Sequence, residues 1–259
     1  MGMFSQGSVM YGGEIDIHAS NSPFVELLKM VGNGKRVLEV GPGTGHVTKQ
    51  LAQQDCKVTC VEQNKNMSDV AKEFCAHMIV GDIEADAIGR QLSTEQFDVI
   101  TFGDVLEHLR DPVEVLNNLR PLLAPAGYLI ASIPNVAHRS VRLNLLFGEF
   151  DYADIGLLDR THLRFFTIRT IEKMMNECGF KIVDIVRIRD ASLMDPLLRR
   201  TASWGKRVVL EMVKVLFRGL IRGEGLTYQF VIKAVPISRG SNNQLSLVNL
   251  VIKIGRAHV

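Results

Sequence analysis

VLEVGPGTGHVT, residues 37–48, sets three glycines at alternate positions, Gly41, Gly43 and Gly45, behind a short apolar run that carries one acid, Glu39. Such a run, entering a bare turn and then a helical pattern, makes a strand–loop–helix unit whose backbone a ligand can approach. Glycine has no Cβ and tolerates positive φ. The glycine register narrows the ligand. A dinucleotide fingerprint needs a further glycine at position 46, where the chain has His46, and no Gly-Lys pair followed by Ser or Thr supplies a phosphate loop. An acid ahead of the loop repels a pyrophosphate and suits a cationic amine.

Outward from this loop, short β-rich runs alternate with helical patterns. RVLEV, KVTCVE, HMIVGD, FDVITFGD, GYLIASIP, KIVDIVRI and TYQFVIKAV read as strands, several of them apolar on both faces. That pattern predicts an α/β protein with a mostly parallel sheet covered by helices on both sides. Helix starts are marked by Asn21 or Ser22 before Pro23, by Asp111 before Pro112, and by Thr167, whose helix closes at Gly179. Residues 135–166 are too long for a plain connection and are the natural place for a lid inserted after the fifth strand. Residues 191–224 form a basic helical insertion, and the amphipathic stretch 197–222, with Glu211 its only acid, is suited to contact a membrane surface or a partner.

Composition sets the outer bounds. The chain has 259 residues, 46% of them hydrophobic and 22% charged, which allows one α/β domain with a full core over residues 1–236. A formal charge of +2 gives no global field toward nucleic acid, and none is expected as a partner. The four cysteines, Cys56, Cys60, Cys75 and Cys178, show no C-x-x-C spacing, so a reducing cytoplasm is expected. No secretory leader or membrane-length apolar run is read from the chain. The ending IGRAHV resembles the translated end of a sequencing adapter on an environmental gene fragment. Residues 237–259 are accordingly treated as a tail outside the domain.

The loop and the acids after it together resemble class I methyltransferases that use S-adenosylmethionine, in family order through most of residues 35–190. The resemblance implies a Rossmann-like, seven-stranded, mostly parallel sheet with that cofactor in the crevice at its strand ends. It implies that Gly41, Gly43 and Gly45 border the methionine portion, with Glu39 near the amino group. Glu62, beside Gln63, stands where the family has a ribose-binding acid, and Asp82 where it has the acid on the adenine amine, with Ile83 against the ring. Gly103, Asp104 and Val105 close the crevice at the fourth strand. Singly, Glu62 or Asp82 reads as a turn or cap residue. Their ordered spacing behind the loop carries the assignment.

The fourth strand runs into DVLEH, residues 104–108. The Asn/Asp-Pro-Pro-aromatic motif of the family's amino-group methylating members is missing, which favours a hydroxyl oxygen on a small molecule as acceptor. Methyl transfer from a sulfonium releases a neutral leaving group, so the enzyme must align the partners, exclude water and take the hydroxyl proton. His108 is the first candidate base and His162, in LDRTHLRFF, the second. Quinone-biosynthesis O-methyltransferases have an acid-x-x-Glu-His set that can bind a divalent cation, and Asp104, Glu107 and His108 match it, leaving metal use open. The stretch from IPNVAHRS to DRTHLRFFT resembles a bacterial branch associated with polysaccharide or natural-product pathways. Other readings are a non-catalytic cofactor-binding regulator and a methyltransferase acting on nitrogen or carbon. The chain alone leaves oligomeric state open.

Overall fold

The structure, a computed structural model, describes residues 21–92, 94–189 and 224–237. The expected basic stretch 197–222, nearly all of the insertion around it, and the tail from 238 onward lie outside the described residues. Among the described residues seven strands form one sheet: β1 (Arg36–Val40), β2 (Lys57–Glu62), β3 (His77–Val80), β4 (Phe97–Gly103), β5 (Leu123–Pro134), β6 (Phe180–Arg189) and β7 (Thr227–Pro236). Their order is β3-β2-β1-β4-β5-β7-β6, parallel through the first five, with β7 antiparallel between β5 and β6. The expected architecture is present.

Alternation along each strand divides the core between two faces. Val37, Cys60, Val99 and Ile130 share one cluster with Leu27 and Leu28 of α1 (Pro23–Val31) and Leu51 of α2 (His46–Gln53). Leu38, Val40, Ile100 and Phe102 share the other with α4 (Asp86–Leu92), α5 (Pro112–Leu119) and α7 (Ile168–Glu177) through Leu92, Leu116 and Met175. The helix that follows β1 therefore covers one face and the helix that follows β4 the other. Their connections diverge at the β1/β4 junction, and a crevice opens there at the strand ends, where open α/β sheets hold ligands.

Local signals explain most helix boundaries. Asp111 accepts the Glu114 N–H at 2.9 Å, and Thr167 makes a reciprocal capping box with Thr170. Gly179 takes φ +71 just beyond α7. The first helix departs from expectation: Ser22 sits at its N-cap without a side-chain bond, and Asn21 accepts the Arg189 N–H of β6 at 2.9 Å instead. A side chain that can hold a distant strand is not free to cap its own helix. Between β5 and α7, the long connection carries α6 (Arg139–Leu146) and then returns across the turn that follows β4.

Two glycines with opposite surroundings test the packing. At Gly45, φ is +86 and a Cβ would lie 2.9 Å from the Ala71 Cα at the end of α3 (Lys65–Ala71). Gly45→Ala is expected to lower stability by about 1–3 kcal/mol. A Cβ on Gly89, inside α4, meets nothing within 4 Å, so Gly89→Ala should raise stability by roughly 0.5–1 kcal/mol. Urea unfolding midpoints at unchanged m-values check both.

Candidate active site

The parallel strands β1 to β4 end at one edge, and their terminal residues build the crevice. Gly41 donates its N–H to Val61 O at 2.9 Å, which turns the loop toward β2. A Cβ on Gly41, where φ is +68, would meet Val105 Cγ2 at 2.7 Å, so the bare backbone here answers to a neighbouring side chain as well as to any ligand. Glu62, buried at the end of β2, accepts the Gly43 N–H at 3.1 Å and the Asn64 N–H at 2.7 Å. Gln63 beside it is exposed. Asp82 accepts the Glu84 N–H at 2.9 Å, shaping the turn after β3, and half-buried Ile83 packs against the core. Gly103 ends β4, and Asp104 follows it at φ +56, a left-handed conformation uncommon for a residue with a side chain.

Glu39 is buried and is held by side chains of α2 and β2. Its Oε2 accepts the Thr48 hydroxyl at 2.7 Å and lies 3.8 Å from the Cys60 sulfur. Burial pushes this carboxyl up to about 7, against the smaller opposing effect of the Thr48 bond. Glu39 thus links β1 to α2 and β2.

The turn after β4 gathers the remaining candidates. Asp104 Oδ1 accepts from Ser132 Oγ at 2.6 Å and from Gln229 Nε2, while its own N–H donates to Ser132 Oγ at 3.0 Å. Burial raises its carboxyl despite these bonds. Glu107 is only 1% exposed, and neither of its oxygens has a hydrogen-bond partner. Burial first, and the charge of Asp104 second, lift this carboxyl well above the usual range. The Glu107 backbone carbonyl accepts the N–H groups of Leu163 and Arg164 at 2.8 and 2.9 Å, which fastens the returning segment to the turn. His108 Nδ1 is 3.2 Å from both the carbonyl and the hydroxyl oxygen of Thr161.

These contacts bring His162 edge-on to His108, with ring centroids 4.8 Å apart. Burial, and then the nearby His108, lower the His162 pKa. His162 also lines an open cavity of about 660 Å³ with Tyr152, Arg160, Leu163 and Phe165. Glu107, His108 and His162 have ligand-capable atoms within 4.8 Å of one another. The metal alternative read from Asp104, Glu107 and His108 is therefore revised in its donors: Ser132 and Gln229 engage Asp104, and His162 stands in the group in its place. Ser132 and Gln229 were not singled out from sequence, although Ser132 is a lone hydroxyl within an apolar strand.

The sheet order, the helices on both faces and the crevice of strand-end acids define a class I methyltransferase fold. The chain belongs to the methyltransferase-domain family, which it matches over residues 18–185. The ubiquinone biosynthesis O-methyltransferase of Psychrobacter arcticus is 29% identical over 183 residues, a match covering 64% of this chain and 65% of that relative. This chain thus spans just under two thirds of that relative's length. A SAM dependent methyltransferase from Archaeoglobus fulgidus shares the fold at TM-score 0.57 and 19% identity, over 82% of this chain and 91% of that one. Magnesium protoporphyrin IX methyltransferase from Synechocystis PCC 6803, solved with SAH bound, does so at TM-score 0.52 and 15% identity, over 82% and 80%. Among the described residues, no helix is long and apolar enough to cross a membrane.

The position of Glu39 yields a pH test. Its folded pKa of about 7 exceeds the ordinary 4.5, so between those values the folded state keeps a proton that the unfolded chain has lost, and stability falls as pH rises through that window. Glu39→Gln retains an acceptor for Thr48 and removes the titration. Its stability relative to the parent should improve between about pH 5 and about pH 8 by up to about 3 kcal/mol. Urea unfolding at the two pH values measures this, and a pH-independent difference would reject the burial argument.

Proposed function

We propose that the protein transfers a methyl group from S-adenosylmethionine to a hydroxyl oxygen of a small-molecule acceptor. The observation that carries this reading is Glu62: one buried carboxylate at the end of β2 anchors the glycine loop through Gly43. In this reading the methionine portion runs along Gly41, Gly43 and Gly45. The ribose hydroxyls bond to Glu62, the adenine lies by Asp82 and Ile83, and the sulfonium stands near Gly103, Asp104 and Val105. The O-methyltransferase relative supports oxygen as acceptor atom, and the open cavity lined by His162 and its aromatic neighbours supports a small molecule.

The chemistry asked of the chain is alignment, exclusion of water and removal of one proton. His162 is the better placed histidine, because it lines the cavity and its lowered pKa leaves it neutral and able to accept a proton near neutral pH. His108 sits behind it against Thr161 and orients it, which reverses the order of the two candidates. The segment over residues 135–166 acts as the lid, fastened by Leu163 and Arg164 to Glu107.

Glu107 favours a second reading. A buried carboxylate with no partner, beside two imidazoles, is a donor set that fits a divalent cation held by Glu107, His108 and His162. Such an ion would supply Lewis acidity toward the acceptor oxygen.

Two measurements test these readings. Glu62→Ala should weaken binding of S-adenosylhomocysteine roughly 10- to 100-fold by calorimetry, from the loss of charge-assisted ribose bonds. Unchanged affinity would remove Glu62 from the site. His162→Ala should lower turnover of labelled S-adenosylmethionine with hydroxylated acceptors by about 10²- to 10⁴-fold while leaving that affinity intact. Full activity after chelation supports the histidine base; loss on chelation, restored by a divalent ion, supports the cation instead.

A further inference from the structure

The edge-on histidines rest against a tight turn in the returning segment. Asp159 is half-buried there, with Thr161 two residues beyond it. Asp159 Oδ1 accepts the Thr161 N–H at 2.8 Å, the bond with which an aspartate closes a turn two residues on, and also the Thr161 hydroxyl at 2.7 Å. The Asp159 carbonyl accepts the His162 N–H at 3.0 Å, and the Asp159 N–H donates to Gly156 O at 3.1 Å. Thr161 is therefore fixed within its own turn, and the bonds from Leu163 and Arg164 to the Glu107 carbonyl bring that turn against His108. We propose that Asp159 and Thr161 are positioning residues that hold neutral His108 in the tautomer protonated on Nδ1, so that Nε2 is the nitrogen this ring offers to the site.

The argument is one of counting protons. A carboxylate has none to give, so the 2.7 Å contact takes the proton of the Thr161 hydroxyl. Thr161 Oγ1 is then an acceptor toward His108, as the Thr161 carbonyl oxygen always is. His108 Nδ1 lies 3.2 Å from both of these atoms. Two acceptors facing one ring nitrogen require that nitrogen to carry the hydrogen, and in a neutral imidazole the other nitrogen is left bare. The free side chain in water prefers the opposite form, protonated on Nε2, so the turn acts against the preference of the ring.

His162 obeys the same rule, since its Nδ1 lies 3.4 Å from the Leu157 carbonyl oxygen. While both rings are neutral, neither has a second N–H, and each carries a lone pair on Nε2. Such a lone pair is what a hydroxyl proton needs from a base and what a divalent cation needs from a ligand, so the same tautomers serve either reading of the site. The consequence for methyl transfer rests on the function proposed above; the tautomer of His108 does not.

Long-range proton–nitrogen correlation NMR on the full chain, carrying isotopically labelled histidine, tests the proposal at about pH 8, where an ordinary imidazole is neutral. The protonated and bare nitrogens of a neutral ring give separate signals, and the His108 set is identified by its loss in His108→Gln. Nδ1 is expected to be the protonated nitrogen. A ring protonated on Nε2, or exchanging evenly between the two forms, would overturn the proposal. Asp159→Ala frees the Thr161 hydroxyl proton to face Nδ1 and should move most of His108 to the Nε2 form. Asp159→Asn still accepts from Thr161 through its side-chain carbonyl and should keep the parent tautomer. An unchanged tautomer in Asp159→Ala, or a changed one in Asp159→Asn, would remove Asp159 from the device. In turnover of labelled S-adenosylmethionine, Asp159→Ala should lower kcat about 10- to 100-fold, the usual cost of losing a group that orients a site histidine, and Asp159→Asn should recover most of it. Calorimetric affinity for S-adenosylhomocysteine should be the same in all three proteins. Parent turnover in a variant whose tautomer has changed would overturn the positioning role, whereas no turnover by the parent itself would count against methyl transfer and leave the NMR result standing.

Discussion

The carboxylate of Glu62 bridges two backbone amides that belong to different parts of the chain, Gly43 in the loop after β1 and Asn64 at the start of α3. A glycine-rich turn has many accessible conformations, and ordering it costs more entropy than ordering most loops. A buried carboxylate needs donors as much as the loop needs an anchor, because an unsatisfied charge in that position is expensive. Each requirement meets the other. Asn64 extends the arrangement by accepting the Asn66 and Met67 N–H groups, so the end of β2, the loop and the first turn of α3 are organised around one side chain.

The turn after β4 plays the corresponding part for the acceptor side. It touches β5 and β7 through Asp104, and the returning segment through the Glu107 carbonyl and His108. The left-handed Asp104 makes this possible by reversing the chain immediately after the strand, at a conformational cost of order 1–3 kcal/mol that the bonds from Ser132 and Gln229 offset. Both halves of the site thus use the same device, a strand end whose side chain binds backbone or neighbours on adjacent elements.

How much of this was legible in the sequence follows from the range of the interactions. The strands, the sheet type and the glycine loop depend on local periodicity and on residues adjacent in the chain, and these read correctly. The positions of Glu62 at the end of β2 and of Asp82 just past β3 were also legible, because parallel strands must end together. The proximity of His108 to His162 depends on where a long connection comes back, which spacing does not encode. Glu39 shows a subtler limit. Strand alternation tells which residues share a face, but the face of Glu39 also holds Thr48 and Cys60, and those partners become visible only once α2 is packed. Asn21 is the same lesson at smaller scale: its sequence context signals a cap, and a distant strand claims its side chain.

Burial of ionisable groups connects these observations. Glu39, Asp104 and Glu107 all lie in or under the crevice with carboxyls raised above their ordinary range, chiefly because water has been excluded from them. Three such groups are difficult to account for as supports alone, since apolar residues of similar volume fill a core without the desolvation cost. They are explicable if the region must remain polar while dry. A sulfonium cofactor bound as proposed would bring a positive charge to this edge of the sheet, and carboxyls that ionise on its arrival would be matched to it. The same exclusion of water lowers the pKa of His162. One physical condition, a strand edge from which water is excluded and which polar side chains line, therefore raises the three carboxyls and lowers His162 together.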